Sequence, residues 1–178
     1  MTARPFTQAA PTAPIEESPV STEYEQWQER TVRRPDDVPA YTPLAWQVEK
    51  VDTAADRLGN LLLPEDFPHP VERGTAADAL TQLALGESIR RTVERYRAGD
   101  VHQALTLGAT WTQIGAALDV APNDARELLR AWADGQRRLY ESDVAEGRGR
   151  PIGLGAEQYA AVQALLALDD DQPATSAA

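Results

Sequence analysis

The chain has 178 residues, a net charge of −11 and no cysteine. The missing cysteines exclude disulfides, thiolate metal sites and a thiol nucleophile, and the acidic balance disfavours a general nucleic-acid binder. No apolar run approaches the roughly 20 residues that cross a bilayer, and the start lacks a signal-peptide core. We therefore expect no membrane association and a cytoplasmic location.

Residues 1–41 contain six prolines separated by small polar residues, a composition that predicts a disordered arm. Within it, Ser21–Arg34 has the spacing of a short amphipathic helix. One interpretation is a frayed helical turn without further role. The other is a segment that binds a protein partner through the aromatic anchors Tyr24 and Trp27.

Thr42-Pro43 predicts the start of the first long helix, with Thr as N-cap and Pro in the first turn. Its apolar residues follow heptad spacing, which indicates packing within the domain or, alternatively, the seam of a homodimer. Pro64 ends it, and residues 64–74 form a loop. The seam residues are Leu44, Val48, Val51, Ala55, Leu58 and Leu62.

Thr75-Ala-Ala-Asp78 is a capping box, and its helix should run to about Ala98, where Gly99 stops it. A short helix from Asp100 to Leu107 follows. Thr110-Trp-Thr-Gln113 is a second capping box, whose helix ends at Asp119. Pro122 then suits the first turn of a last long helix that reaches about Tyr140, with a buried side formed by Ala125, Leu128, Leu129, Trp132 and Leu139.

Thr110–Arg130 resembles the helix-turn-helix of DNA-binding regulators and sigma-factor-like proteins. Gly115 is the small residue that this pattern has in its first helix, Leu118 and Val120 flank the turn, and Asp119 replaces the usual glycine. The resemblance covers about residues 100–140. It implies a three-helix unit, DNA binding and transcription regulation, with Asn123, Arg126, Arg130 and Arg137 as the DNA contacts.

Residues 141–155 form a glycine-rich connector that contains Arg148-Gly149-Arg150-Pro151. These four residues match the core of an AT-hook, in which Arg148 and Arg150 would enter a narrow minor groove. The flanks are not basic, and the alternative is a flexible linker. A short helix, Ala156–Leu168, precedes an acidic tail, 169–178, that we expect to be disordered.

No pattern of catalytic residues is recognisable, and His69 and His102 without cysteine make no metal set, so we expect a non-enzyme without metal or cofactor. Arginine supplies every basic side chain except Lys50, a bias typical of GC-rich bacterial genomes such as those of actinobacteria. The sequence predicts one all-α domain, 42–168, between the arm and the tail.

Two functions fit this domain. One is a small DNA-binding regulatory or accessory protein, with a homodimer matching paired half-sites. The other is an acidic protein-interaction module (adaptor or scaffold) without DNA contact. Arginines grouped on one face would favour DNA, and arginines held by carboxylates of the same chain would favour the interaction module.

Overall fold

The computed structural model describes residues 19–174, and all regular structure within that range is helical, which confirms the predicted all-α fold. The remainder of the predicted arm and tail, 1–18 and 175–178, lies outside the described residues. Between residues 19 and 174, no helix combines the length and the apolar character that crossing a membrane requires. The helices are α1 (Pro19–Glu29), α2 (Leu44–Gly59), α3 (Ala76–Thr106), α4 (Trp111–Leu118), α5 (Pro122–Ala145) and α6 (Ala156–Leu166), with 3-10 turns at Pro35–Asp37 and Asn60–Leu62.

The chain divides into two compact units, Met1–Ile89 and Arg90–Ala178, and the domain bounds 42–168 stay a prediction. The division falls within α3, so that this helix contributes residues to both units. Each unit has a hydrophobic core of its own. The two units therefore have separate apolar clusters.

The core of the first unit contains Trp27, whose side chain is 3% exposed and whose indole Nε1 donates to the carbonyl of Trp46 at 3.0 Å. Val32 and Leu85 are fully buried in the same core. Lys50 satisfies the end of α1, because its Nζ donates to two of the carbonyls there at 2.6 and 2.8 Å. Burial of this ammonium group lowers the pKa of Lys50.

The predicted loose arm therefore needs correction from residue 19 onward, where the chain is part of the first unit. The Tyr24 ring meets Trp46 edge-on at 5.1 Å, and its hydroxyl donates to Glu49 at 2.5 Å. Tyr24 and Trp27, the predicted anchors for a partner, thus make their contacts within the chain. Burial of large aromatic side chains outweighs the loop-forming tendency of the neighbouring prolines.

The inward face of α2 coincides only in part with the one that the heptad spacing predicted, since Val51 of the seam packs against the core. Its buried residues are Gln47 and Ala54, whereas Leu44 and Val48 of the seam are 40% and 41% exposed. At 100° per residue, Gln47 and Ala54 lie on average about 70° from the centre of the seam. The predicted Thr42 cap is also absent, because the Thr42 hydroxyl donates to a loop carbonyl instead.

Helix α3 begins at the predicted capping box and continues beyond its predicted end. The hydroxyl and amide of Thr75 donate to Asp78 at 2.7 and 2.8 Å, and these bonds hold the pKa of Asp78 below its usual value. The predicted stop at Gly99 is wrong, since the helix runs on to residue 106. Glycine costs a helix only about 1 kcal/mol, and burial of Val101 and Leu105 offsets it.

The core of the second unit is built on Trp111, which is fully buried and donates from Nε1 to the carbonyl of Leu165 at 3.2 Å. This bond joins the first turn of α4 to the end of α6. Helix α5 supplies three residues of the core and exceeds its predicted end by about one turn. The buried members of this core are Val101, Leu105, Trp111, Ile114, Ala125, Leu129, Ala133, Val162 and Leu166.

Candidate functional site

The connection between α4 and α5 has the local geometry that the sequence predicted. The Thr110 side chain accepts from the amide of Gln113, whose own side chain accepts from the amide of Thr110. Asp119 has a left-handed backbone, with φ 55°, and ends α4. A Cβ on Gly115 would lie 2.8 Å from the carbonyl oxygen of Val120, so this close turn requires glycine.

Arg126, the central DNA contact that the resemblance implied, faces acceptors of its own chain. Its side chain is 15% exposed, and its guanidinium lies 5.0 Å from the centre of the buried Trp111 ring. Its Nη2 donates to the carbonyl of Leu168 at 2.9 Å and pairs with Asp170 at 2.6 Å. The residue therefore ties the end of the described chain to α5.

Two further arginines of α5 also pair with carboxylates of the same helix. Arg130 pairs with Glu127 in the preceding turn. Arg137 pairs with Glu141 at 2.8 Å, and its side chain is 27% exposed. Asn123 is exposed in the first turn of α5, next in sequence to the carboxylate of Asp124.

The AT-hook-like residues form a folded turn instead of the predicted flexible linker. Asp143 at the end of α5 is 2% exposed, accepts from the amide of Ile152 at 2.9 Å and pairs with Arg148 at 3.2 Å. Arg148 also pairs with Glu146 at 2.9 Å. Arg150 is exposed. One of the two arginines that would enter a minor groove thus holds the turn together.

Gly153 fixes the far end of this turn against α5. Its φ is 100°, and a Cβ there would lie 2.2 Å from the carbonyl oxygen of Gln136. The next amide, of Leu154, donates to that same carbonyl at 3.2 Å. The connection between α5 and α6 is therefore specified by close backbone contact.

The start of the predicted acidic tail crosses the first turn of α4, and we name residues Leu168–Asp171 the acidic strap. The amide of Thr112 donates to the carbonyl of Asp170 at 3.0 Å, and its hydroxyl donates to Asp171 at 2.7 Å. The prediction of a disordered tail over 169–178 is thus corrected for the described residues 169–174. The carboxylates of Asp170 and Asp171 lie near the start of α4, where the helix dipole favours negative charge, and they meet Arg126 and the Thr112 hydroxyl.

Large apolar side chains remain exposed in the first unit. Leu44 and Val48 share one side of α2, and Leu62 in the following 3-10 turn is 90% exposed. On α3, Leu83 is 71% exposed. Tyr41 is 94% exposed and has a φ of 68°, an uncommon conformation for a bulky residue.

Neither histidine is part of a metal-binding group, and between residues 19 and 174 no three metal-ligating side chains come together. His69 is exposed beside Phe67, and His102 lies 5.7 Å from the ring of Trp132. Comparison with known proteins adds no assignment, because no protein-family model, curated protein or solved structure matches this chain.

Sequence reasoning found the arginines but missed the acceptors that hold them. Asp170 and the Leu168 carbonyl are more than 40 residues from Arg126, too far for any local pattern to connect them. One signal was present. Three successive aspartates follow the last helix, and the least acidic stretch of the chain, residues 99–140, contains arginines that attract such carboxylates.

Proposed function

We propose that this protein is an interaction module that acts by binding other proteins, without catalysis and without DNA contact, in the cytoplasm. The proposal rests on one observation, that most of the arginines predicted to contact DNA pair with carboxylates of the same chain. Arg126, Arg130, Arg137 and Arg148 each pair with a carboxylate of the same chain. Arginines used in this way support the fold and leave little positive charge for a phosphate backbone.

The charge around α5 supports the same function. Asp124 and Glu127 are exposed on its first two turns, where a helix inserted in a groove would meet phosphates. The whole chain has a net charge of −11, which opposes approach to a polyanion. Surface carboxylates at these positions are compatible with a protein partner.

Exposed apolar side chains of the first unit also support binding of a protein partner. Leu44 and Val48 are 40% and 41% exposed, and they lie side by side on α2 of the first unit. Clustered apolar residues on a protein surface commonly mark contacts with partners. The exposed Tyr41 adds an aromatic side chain of the type enriched in binding hot spots.

A DNA-binding regulator is the second candidate, favoured by the glycine-requiring contact at Gly115 and the left-handed Asp119 between α4 and α5. These features agree with the resemblance to a helix-turn-helix. A three-helix unit with such a turn also occurs without DNA binding, since fold and function are separable.

A DNA titration and site-specific crosslinking together test the proposal. Labelled genomic duplexes at about 50 mM and about 200 mM salt should show no shift with the folded protein, whereas a DNA binder would shift strongly at the lower salt. A photo-crosslinking residue at Val48 should capture a protein in the source cells, and one at Thr53, also exposed but about 140° around α2, should not. A low-salt DNA shift together with no capture at Val48 would overturn the proposal in favour of the regulator.

A further inference from the structure

We propose that Thr112, Trp111 and Arg126 form a docking site for an acidic peptide of a partner protein, and that the acidic strap occupies this site until the partner displaces it. The inference rests on the proposed function and names the chemistry of one partner. Its ligand is an extended segment with two or three successive carboxylates, of the kind that the strap itself presents at Asp169, Asp170 and Asp171.

The strap shows what the site binds. Arg126 contacts the strap twice, through the carbonyl of Leu168 at 2.9 Å and the carboxylate of Asp170 at 2.6 Å. Thr112 also contacts it twice, through the carbonyl of Asp170 at 3.0 Å and the carboxylate of Asp171 at 2.7 Å. Both main-chain and side-chain oxygens are thus recognised, which a peptide offers and an isolated anion does not.

The two sides of this contact differ in how firmly they are held. The Arg126 guanidinium lies 5.0 Å from the centre of the Trp111 ring, which is fully buried in the core, so the arginine has a fixed neighbour besides the strap. The Asp170 side chain is 55% exposed, and solvent can replace its bonds at low cost. A peptide of a partner protein can therefore compete with the strap for Arg126 and Thr112.

A peptide suits the surroundings of the site better than a nucleic acid does. Asp124 and Glu127 are exposed on the turns of α5 next to Arg126, and Glu127 already pairs with Arg130. A duplex would bring its continuous row of phosphates against both carboxylates. An extended peptide can place its carboxylates near Arg126 and the start of α4 and keep them away from Asp124 and Glu127.

The tether of the strap determines how strongly a partner must compete. A segment joined by a short link has an effective concentration in the millimolar range. The apparent affinity of a free peptide is reduced in proportion to the small fraction of molecules with an open site. Loss of the strap's carboxylates should therefore raise the apparent affinity for an acidic peptide by about tenfold or more.

The test uses the full-length chain with Asp169→Asn, Asp170→Asn and Asp171→Asn, and a fluorescent peptide that copies residues 167–176. Anisotropy should show this peptide binding the triple variant about tenfold or more tighter than the wild type, while a peptide with three asparagines binds neither. Arg126→Gln in the triple variant should abolish binding. Arg130→Gln, one turn further along α5, is the matched control and should not.

Circular dichroism establishes that each variant is folded, and Asp170→Asn alone replaces the triple variant if that protein does not fold. Absence of peptide binding, or binding that Arg126→Gln leaves unchanged, would overturn the inference. Arg126-dependent binding of a 20-base-pair duplex to the triple variant in place of the peptide would also overturn it. A duplex that binds the wild type instead counts against the proposed function, so the two failures are distinguishable.

Discussion

Charged side chains hold the loops around α5 in the second unit, whereas one side of α2 in the first unit exposes apolar side chains to solvent. Arg126 and Arg148 each end on carboxylates of the same unit, and Asp143 is buried while accepting from two partners. In α2 of the first unit, Leu44 and Val48 keep about two-fifths of their surface exposed. Polar bonds thus stabilise the loops of the second unit, and the exposed side of α2 is the surface on which the proposed protein interface rests.

The largest expected effect is in the core of the second unit. Trp111→Ala should lower the free energy of unfolding by about 3–5 kcal/mol, because it leaves a cavity and removes the surface on which Arg126 lies. Urea unfolding measures this change. Leu107→Ala, at a residue 79% exposed, should alter stability by less than about 0.5 kcal/mol. Similar values for both variants would contradict the described core.

The loop of the second unit provides the next test. Gly153→Ala should destabilise the protein by about 1–3 kcal/mol, because the backbone is left-handed and the new Cβ would collide with the Gln136 carbonyl. Gly149→Ala is the matched control, since nothing lies within 4 Å of its Cβ position. Thermal unfolding should separate the two variants. Equal melting temperatures would indicate a loose connector, as the sequence alone predicts.

Acid should weaken the start of α3 in the first unit. Hydrogen bonds from Thr75 lower the pKa of Asp78, so this carboxylate stabilises the folded state above its unfolded pKa, about 4. That contribution is lost as the pH falls below about 4 and through the lower pKa of the folded state. Unfolding of wild type and Asp78→Asn from pH 6 to about pH 2 should converge toward acid. A constant difference in stability would argue against this cap.

The smallest effect on stability is expected on the apolar side of α2. Val48→Glu should change the free energy of unfolding by less than about 0.5 kcal/mol, because the side chain is already partly in water. The homodimer suggested by the heptad spacing stays a prediction. Sedimentation should show the wild type above 19.4 kDa and Val48→Glu at the monomer mass, with Thr53→Glu unchanged. A wild type that sediments only at 19.4 kDa would exclude that dimer at the concentration used.

Short-range signals allowed much of the fold to be predicted. The capping box at Thr110, the left-handed Asp119 and the first-turn Pro122 involve residues within a few positions of one another, and the structure has all three. The helix boundary at Gly99 was wrong because tertiary burial outweighs the modest helix cost of one glycine.

Contacts between distant residues could not be predicted in the same way. The Trp27 indole bonds to Trp46, and Arg126 bonds to the acidic strap, across separations that leave no periodic pattern. A proline-rich or acidic composition therefore led to a prediction of loose arm and tail where the described residues pack. The role of the candidate arginines stays a prediction, and the structure adds the carboxylates with which four of them pair.

The free energy of unfolding of Arg126→Gln tests most directly whether the paired arginines of the second unit stabilise its fold. The substitution removes a buried charge-assisted contact with Leu168 and Asp170, and we expect the free energy of unfolding to fall by about 1–3 kcal/mol. Arg150→Gln, at an exposed position in the same unit, should leave it unchanged within about 0.5 kcal/mol. If Arg126→Gln were as stable as the wild type, that result would contradict the role of Arg126 in stabilising the second unit.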